Sequence, residues 1–520
     1  MILYYAVSIF ASYLLLWATY QVFLHPLSKY PGPLVAKLSD IYSGFYTYKK
    51  RLHLTTWNNQ RKYGPVVRQG PNKLVFSSIT ALRGKEKTDI YKNDRTTKPK
   101  AYMALGPGLK TYNVFSARDR HLHRGRRQLI GQVISERSMR VFEPTMIDQV
   151  NIFARNLLLS SQSSTPVNIT EHTRRLGLNI AGLLGFGYDL RLQTDDENRF
   201  MHTVLDVGTF YSNVFLHYPS GRFLWLAFVI ASPLRKLRNK YLALMETMIT
   251  SRTAQPKDAK HDLYSFVADA LGAESSDLRQ SDLWAEANLF LPAAGDTVKT
   301  ALSATFFYLS RNQHAYRTLA HEIRSTFTTS SEIRGTGVAA CAYLRACIDE
   351  AMRLSPPSPG ILWRDLAPDD DNTQPFIVDG HVIPPGTVVG VNTYSVHHNE
   401  HYFPDPFAYR PERWLPSEND FSPEQKKVMR DALAPFSIGP RGCAGKAMAY
   451  LESSLVLAKT LWFFDFEVAE GELGKVGAGK VGLGEGRERR GEFQLEDTFG
   501  SIHDGPYLTF RTRGEFWKEL

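Results

Sequence analysis

Residues 436–445 read FSIGPRGCAG, and the interpretation of the whole chain starts from this stretch. Three glycines surround Cys443, and glycine permits a tight turn in which backbone N–H groups approach the sulfur. An amphipathic segment over 445–462 follows, so Cys443 lies near a predicted helix N-terminus, where the helix dipole favours an anion. With the positive charge of Arg441, these features predict a thiol of lowered pKa, presented as a thiolate at a turn.

Two other interpretations of Cys443 remain open on local chemistry alone. It can be a small residue in a glycine-rich turn before a helix, or it can be a catalytic nucleophile. A nucleophile needs a neighbouring base, and the nearest histidine in the sequence is His401. The other cysteines are Cys341 and Cys347; three cysteines in 520 residues argue against a disulfide framework and indicate a reducing compartment.

The composition is that of a packed globular protein. Hydrophobic residues make up 43% and charged residues 22% of a chain long enough to enclose a bulky apolar ligand. The formal net charge of +10 suits anionic lipid, nucleic acid or an acidic protein partner. Since no helix-turn-helix, zinc finger or aromatic RNA-binding platform is visible, we expect no nucleic-acid partner.

Hydrophobic periodicity predicts a mainly α fold with a small β subdomain. Spacings of three and four predict helices near 119–135, 141–159, 235–251, 281–311, 339–354 and 445–462. Short β-rich pieces predict strands at 66–69, 73–76, 386–391 and 507–510. There is no regular alternation of strands and helices, so a doubly wound parallel sheet is not expected.

The N-terminal segment Ile2–Leu24 carries no charged side chain and is long enough for a transmembrane helix. A cleaved signal peptide usually starts with a positive charge and ends in small residues, and neither is present; a buried helix is the other alternative. The first basic residues after it are Lys29, Lys37, Lys49, Lys50 and Arg51. We therefore predict an anchor over 1–24 with the body on the cytoplasmic side, a Pro/Gly-rich elbow over 25–40 and one domain over 41–520.

A glycine-rich segment, 471–491, contains two phosphate-loop look-alikes. The spacing Gly477-x-Gly479-x-x-Gly482 matches a dinucleotide-binding pattern, and Gly479-Lys480 ends a P-loop-like one. The P-loop hydroxyl position is Val481, and no predicted strand–turn–helix unit surrounds either match. We interpret the segment as a flexible surface insertion.

The pattern F-x-x-G-x-R-x-C-x-G over 436–445 resembles the haem-binding loop of the cytochrome P450 family, with every fixed position filled. The resemblance implies that Cys443 is the axial ligand of the haem iron. It also implies that Phe436 packs beside the sulfur and that Arg441 meets a haem propionate.

Two further matches resemble the segments that brace this loop in the family. Glu350-Ala351-Met352-Arg353 resembles E-x-x-R, whose charged residues share one helix face. Taken alone, that pair is equally an exposed ion pair. Pro411-Glu412-Arg413-Trp414 resembles P-E-R-F/W, and together the matches imply a buried triad of Glu350, Arg353 and Arg413.

A third match lies in the long predicted helix over 281–311. Ala294-Gly295-Asp296-Thr297 resembles the family's oxygen-activation site, in a form one position shorter than A-G-x-D-T. The resemblance implies that Thr297 hydrogen-bonds dioxygen and that Asp296 relays protons. Pro292 and Gly295 should weaken or kink this helix, so an ordinary kink is the alternative interpretation.

Three more residues resemble the family's propionate partners. His123 and Arg127 match W-x-x-x-R with histidine in place of tryptophan, and Arg364 corresponds to a further basic partner. The alternative for the arginines between Arg118 and Arg127 is a solvated basic face.

The resemblance implies a cytochrome P450 fold and a monooxygenase with haem b, which uses O2 and takes electrons from NADPH through a separate flavoprotein reductase. We expect a lipophilic substrate, because the anchor and the aromatic segment 210–230 both favour entry from lipid, and the elbow resembles fungal secondary-metabolism members. The expected location is the endoplasmic reticulum membrane, single-pass, with the catalytic domain cytosolic. The alternatives are a haem isomerase or dehydratase of the same fold and a non-catalytic haem- or lipid-binding protein.

Overall fold

The computed structural model is mostly helical, with short strands in small sheets. It describes residues 1–84, 88–105, 112–133, 136–221, 234–256, 259–260, 262–267, 278, 281–370, 373–416 and 421–520.

The α-helices within these residues follow in chain order. They are α1 Ile2–Thr19, α2 Leu34–Leu38, α3 Ile41–Tyr48, α4 Leu52–Tyr63, α5 Ile79–Arg83, α6 Arg120–Val133, α7 Glu136–Gln162, α8 Ile169–Phe186, α9 Phe200–His217, α10 Leu234–Thr253, α11 Leu263–Val267, α12 Asp282–Arg311, α13 Gln313–Thr326, α14 Gly335–Ala340, α15 Ala342–Leu354, α16 Thr393–His397, α17 Pro423–Ala432 and α18 Lys446–Phe463.

The strands are short. They are β1 Val66–Gly70, β2 Lys73–Phe76, β3 Thr96–Thr97, β4 Val167–Asn168, β5 Asp365–Leu366, β6 Ile377–Val378, β7 His381–Val382, β8 Val388–Val391, β9 Phe464–Val468, β10 Glu496–Thr498, β11 Gly500–Ile502 and β12 Tyr507–Thr512. All six predicted helices and all four predicted strands are present with shifted ends, which confirms the mainly α fold with a small β part.

Two three-stranded sheets and three strand pairs make up the β structure of the described residues. Strand β2 pairs antiparallel with β1 and parallel with β8, while β12 pairs antiparallel with β4 and β9. The pair β3–β5 aligns Thr96 with Leu366 and Thr97 with Asp365. This pairing matters for the site, because it brings together two segments that are far apart in the chain.

Helix α12 runs through the centre of the core and is buried along most of its length. It packs against α8, α15 and α18. A Cβ added at Gly295 would lie 2.5 Å from Cδ2 of Leu178, so glycine at this position lets α8 cross α12 closely. The helix is continuous through Pro292 and Gly295, and Gly295 serves helix packing. The weakening or kink expected at these two residues stays a prediction.

The N-terminal helix is long and apolar enough to cross a membrane over Ile2–Leu24, and none of that window is buried. Its end is fastened to the rest of the chain. The buried guanidinium of Arg68 donates to the main-chain oxygen of Gln21 at 2.7 Å and to its side-chain oxygen at 2.9 Å. The Arg68 N–H also donates to the carbonyl of Pro31 at 2.8 Å, so the elbow lies against strand β1.

Glu452, on helix α18, is a buried carboxyl without a polar partner. It is 1% exposed, and neither carboxyl oxygen has a hydrogen-bond partner among the described residues. Burial raises its pKa to about 8. The folded protein therefore holds Glu452 protonated at neutral pH, whereas the unfolded chain ionises it near pH 4.

This difference predicts a pH-dependent stability. A carboxyl whose pKa is raised on folding costs no stability below its unfolded pKa and progressively more as pH rises toward its folded pKa. Glu452→Gln removes the titration, so its stability relative to the parent should rise by about 1.4 kcal/mol per pH unit between about pH 5 and pH 8. Urea unfolding in detergent micelles across this range measures it.

Glu470→Gln, at an exposed position two residues after strand β9, is the matched control and should show no such slope. A stability difference between Glu452→Gln and the parent that stays constant with pH would mean that Glu452 is ionised in the fold.

Candidate active site

The loop 436–445 forms a tight turn directly before helix α18. The Cys443 N–H donates to the carbonyl of Phe436 at 2.8 Å, and the Gly442 N–H to that of Gly439 at 3.0 Å. Gly439 has φ +75°, and a Cβ there would overlap the carbonyl of Tyr91, so glycine is required. The predicted placement of Cys443 in a turn near a helix N-terminus is confirmed.

The thiol of Cys443 is exposed, unlike the two other cysteines, yet it is desolvated. Burial raises its pKa, and a hydrogen bond from the Gly445 N–H and the charges of Arg127 and Lys446 offset this only in part. The prediction of a lowered pKa is therefore wrong for the free thiol, because desolvation outweighs the turn and the nearby cations. A sulfur with open surface inside desolvating protein suits a metal ligand, since a bound cation supplies the missing positive charge.

The side chain of Phe436 contacts the helix that follows the loop. Its ring centroid lies 5.1 Å from that of Tyr450, and the Lys446 ammonium lies 5.9 Å above it. Packing of this ring beside the sulfur stays a prediction, since the contact that joins Phe436 to Cys443 is the backbone hydrogen bond.

Five basic side chains form a cluster near the sulfur, three of them buried and two, Arg127 and Arg441, half-buried. They are Lys98, His123, Arg127, Arg364 and Arg441. Burial and the charges of the other four lower the pKa of His123 to about 3, and burial with Arg364 and Arg118 lowers that of Arg441 to about 10. Within the described residues, none of the five forms a salt bridge with a carboxylate.

The hydrogen bonds of this cation cluster go to neutral acceptors. Lys98 donates to the carbonyl of Phe115 at 2.5 Å, and Arg441 to that of Ala117 at 2.6 Å. Arg364 donates to the carbonyl of the residue before it at 2.8 Å. Buried charges of one sign are costly unless an opposite charge is present. The cluster therefore fits a dianion, and the two propionates of a haem are such a group.

Lys98 is the member of the cluster that the sequence analysis missed. It is 3% exposed, and burial with the charges of Arg364 and Arg441 holds its pKa well below the ordinary value. Nothing in the residues around Lys98 indicates this role. The β3–β5 pairing brings it to Arg364, and a contact so distant in sequence leaves no local pattern.

The predicted triad is present and buried. Glu350 accepts from Arg353 through both carboxylate oxygens at 2.9 Å and from Arg413 Nε at 3.2 Å. The Trp414 indole N–H donates to Glu350 at 3.1 Å. All three charged side chains are at most 1% exposed, so the exposed ion pair is the wrong alternative.

One histidine connects this triad to the cysteine loop. Arg353 donates to the carbonyl of His397 at 2.8 Å, and the Ala434 N–H donates to Nε2 of His397 at 3.1 Å. Ala434 lies two residues before Phe436. The triad thus holds the chain that enters the loop, in keeping with its expected bracing role.

The two residues expected to handle protons lie on different sides of α12. Asp296 is buried, with Arg174 Nε and Lys299 Nζ each 3.3 Å from Oδ1. Burial opposes its ionisation, but Lys299 and Arg174 outweigh burial and lower the pKa of Asp296. Thr297 is half-buried, and its hydroxyl donates to the carbonyl of Ala293 at 2.7 Å. Consecutive helical residues point about 100° apart, so the structure does not join these two groups directly.

Arg174 is a second residue that the sequence analysis missed. Besides Asp296, it binds both carboxylate oxygens of Asp206 on α9, at 2.9 and 2.7 Å. Arg174 therefore connects the central helix to a carboxylate whose side chain is 29% exposed.

The basic run on α6 divides between two tasks. Arg126 is buried and forms ion pairs with Asp282 and Glu286 at the start of α12. Arg127 and His123 belong to the cation cluster instead. The alternative of one solvated basic face is therefore wrong for these three residues.

Comparisons with known proteins agree with this geometry. The family model described as Cytochrome P450 matches residues 26–479. The chain is 34% identical to the cytochrome P450 monooxygenase apf7 of Gibberella fujikuroi, covering 95% of each chain. It is 31% identical to the cytochrome P450 monooxygenase AKT7 of Alternaria alternata, over 95% of this chain and 94% of that one.

The cation cluster predicts a measurable role for Lys98 in holding a dianionic cofactor. Lys98→Met keeps the length and removes the charge, so haem should be lost to a haem acceptor roughly tenfold faster, the equivalent of one charged hydrogen bond. Haem dimethyl ester has no propionate charge, and with it Lys98→Met and the parent should lose the cofactor at one rate.

Lys100→Met is the matched control, since Lys100 is exposed and lies two residues away. If Lys98→Met accelerated the loss of haem and of haem dimethyl ester equally, Lys98 would contribute only through packing and not through its charge.

Proposed function

The chain belongs to the cytochrome P450 family and is a monooxygenase, and on that premise we propose that it inserts one oxygen atom from O2 into a lipophilic small molecule of fungal secondary metabolism. The observation that carries this proposal is the desolvated Cys443 in its glycine turn, together with a cation cluster that lacks a carboxylate partner among the described residues.

Cys443 would hold the iron of haem b, and the cation cluster of Lys98, His123, Arg127, Arg364 and Arg441 would hold its propionates. When bound, the haem supplies the activation of dioxygen with two electrons that originate from NADPH. The protein positions the cofactor through the loop, and the Glu350–Arg353–Arg413 triad holds the loop in place.

Thr297 and Asp296 are proposed to hold and move protons. The Thr297 oxygen can accept a hydrogen bond while its O–H donates to the Ala293 carbonyl. Asp296 is held ionised by Lys299 and Arg174, and it would take up a proton when Arg174 moves away from Asp296 and keeps its hydrogen bonds to Asp206. The partial exposure of Asp206 supports a proton supply from solvent along this path.

An apolar cluster beside the cation cluster supports a lipophilic substrate. Its buried side chains include Leu216 and Trp363, and Phe115 and Phe499 pack against them. The Lys98 ammonium lies 3.3 Å from the Phe115 ring centroid, which connects the two clusters. The aromatic segment 210–230 adds residues of α9, but its part from 222 to 230 lies outside the described residues.

A basic concave surface next to the cysteine loop supports an acidic redox partner, which we propose to be an NADPH-dependent flavoprotein reductase. The cavity has a volume of about 260 Å³. Its lining includes Phe436 and four basic side chains, which are Arg83, Arg345, Arg430 and Lys446. It also includes one carboxylate, Asp349, which pairs with Arg345 at 3.0 Å. Complementary charge steers such a partner to the side of the cysteine loop.

We place the protein in the endoplasmic reticulum membrane, with one span and a cytosolic catalytic domain. The support is the apolar helix Ile2–Leu24 and the basic residues that follow it.

The iron ligand is tested by Cys443→Ala. Loss of the thiolate should abolish the thiolate-type carbon monoxide spectrum of the reduced protein and substrate oxidation with it. Cys341→Ala and Cys347→Ala are matched controls, because both cysteines are buried in the helical core, and their spectra should be unchanged. A normal carbon monoxide spectrum in Cys443→Ala would overturn the assignment.

The reductase surface is tested by charge reversal. Arg430→Glu should slow electron transfer from the reductase several-fold, most strongly at low ionic strength, and leave the carbon monoxide spectrum intact. Arg238→Glu, on the exposed side of α10, is the control and should have no such effect. Equal rates in the two variants, or no need for reductase and NADPH at all, would contradict the proposed partner.

A further inference from the structure

The glycine-rich segment 471–491 forms a loop that is held against the catalytic domain. Within it, the Gly479 N–H donates to the Arg489 carbonyl at 3.2 Å and the Lys480 N–H to that of Arg487 at 3.0 Å. Glycines 477, 479 and 482, which match the dinucleotide-binding pattern, lie in these turns, and no helix follows them. This agrees with the interpretation of the match as accidental.

The tip of this loop packs beside the start of α4. Arg51 donates to the Glu485 carbonyl at 3.1 Å, and Arg487 donates to the Lys50 carbonyl at 3.1 Å. The tip nevertheless leaves two aliphatic side chains in the open, Val481 at 74% and Leu483 at 50% exposure. Ordered backbone with uncovered apolar side chains indicates a surface that something else covers.

Helix α3 presents an apolar face that ends next to the same place. Ile41, Phe45 and Tyr48 are each more than half exposed, and their spacing of four and three puts them on one side of the helix. Helix α2 adds exposed Leu34 and Val35, and it packs against the turn at the end of the N-terminal helix.

An apolar strip therefore continues from the exit of the proposed anchor, along α2 and α3, to the loop tip at Val481 and Leu483. Basic side chains accompany it. Lys49 follows the α3 face, while exposed Lys480 and Arg490 flank the loop tip. The loop has acidic side chains too: Glu472 pairs with Lys475, Glu488 accepts from the Gly482 N–H, and Glu485 is exposed at the tip. Over residues 480–490, four basic side chains still outnumber the two acidic ones. Apolar groups edged by cations suit the headgroup region of an anionic bilayer.

We propose that the glycine-rich loop is a second membrane contact, in which Val481 and Leu483 enter the bilayer surface while Lys480 and Arg490 bind anionic headgroups. The inference rests on the proposed N-terminal anchor and adds to it a contact formed by a distant part of the chain. Its partner is a lipid surface, not another protein.

The test uses the full-length, haem-loaded chain in vesicles of phosphatidylcholine and phosphatidylserine. An environment-sensitive fluorophore is attached in Leu483→Cys or in Leu473→Cys, with the parent chain as the labelling blank. Leu473 is a matched control, since it is an exposed leucine of the same segment, next to a glycine whose carbonyl accepts from Arg311 on α12. Lipids with a nitroxide on the acyl chain should quench the label at 483 several-fold more than that at 473.

Charge reversal in Lys480→Glu/Arg490→Glu should reduce quenching at 483 in the mixed vesicles and leave it unchanged in pure phosphatidylcholine. Equal quenching at 483 and 473 in a chain that floats with the vesicles would overturn the loop contact alone. A chain that does not float with vesicles would overturn the anchor, and this inference with it. Protection of the 483 label by an added protein but not by lipid would replace the bilayer with a protein partner.

Discussion

Mutual repulsion among buried and half-buried cations is the constraint on which the site depends. Lys98, Arg127, Arg364 and Arg441 come from four separate segments, with the neutral His123 among them, and backbone carbonyls are too weak to neutralise the charges. An anion bound among them removes this cost, so the cofactor that fits here contributes to stability as well as to chemistry. Because Arg441 lies two residues before Cys443, the geometry of the cysteine loop is tied to the same charge balance.

The parts of the site that could be predicted from sequence are those fixed by local spacing. The turn at Cys443 needs glycines at set positions, and Glu350 and Arg353 share a helix face three residues apart. Lys98 and Arg174 could not be predicted in this way. Their partners come from a strand pair and a helix crossing, and each contact depends on parts of the chain that no short pattern spans.

Two expectations of the sequence analysis, for Cys443 and for Gly295, were incomplete for the same physical reason. The prediction of a lowered pKa for Cys443 was based on the turn, the helix and Arg441. Desolvation, however, depends on all the residues that pack around the sulfur. The weakening or kink expected at Gly295 was based on helix propensity, while the close approach of Leu178 explains why glycine occupies this position. In both cases the tertiary environment supplies a contribution that the local preference leaves out.

The hydrogen bonds from Arg68 to Gln21 make the junction between the apolar helix and the catalytic domain stiff. A flexible tether would let the domain keep its orientation when the thickness of the bilayer changes. With a stiff junction, the apolar helix and the catalytic domain move together as one rigid body. In a thinner membrane a helix of this length tilts to bury its apolar surface, and the domain must then rotate with it. For a chain anchored as proposed, membrane thickness would then set which face of the enzyme meets the lipid.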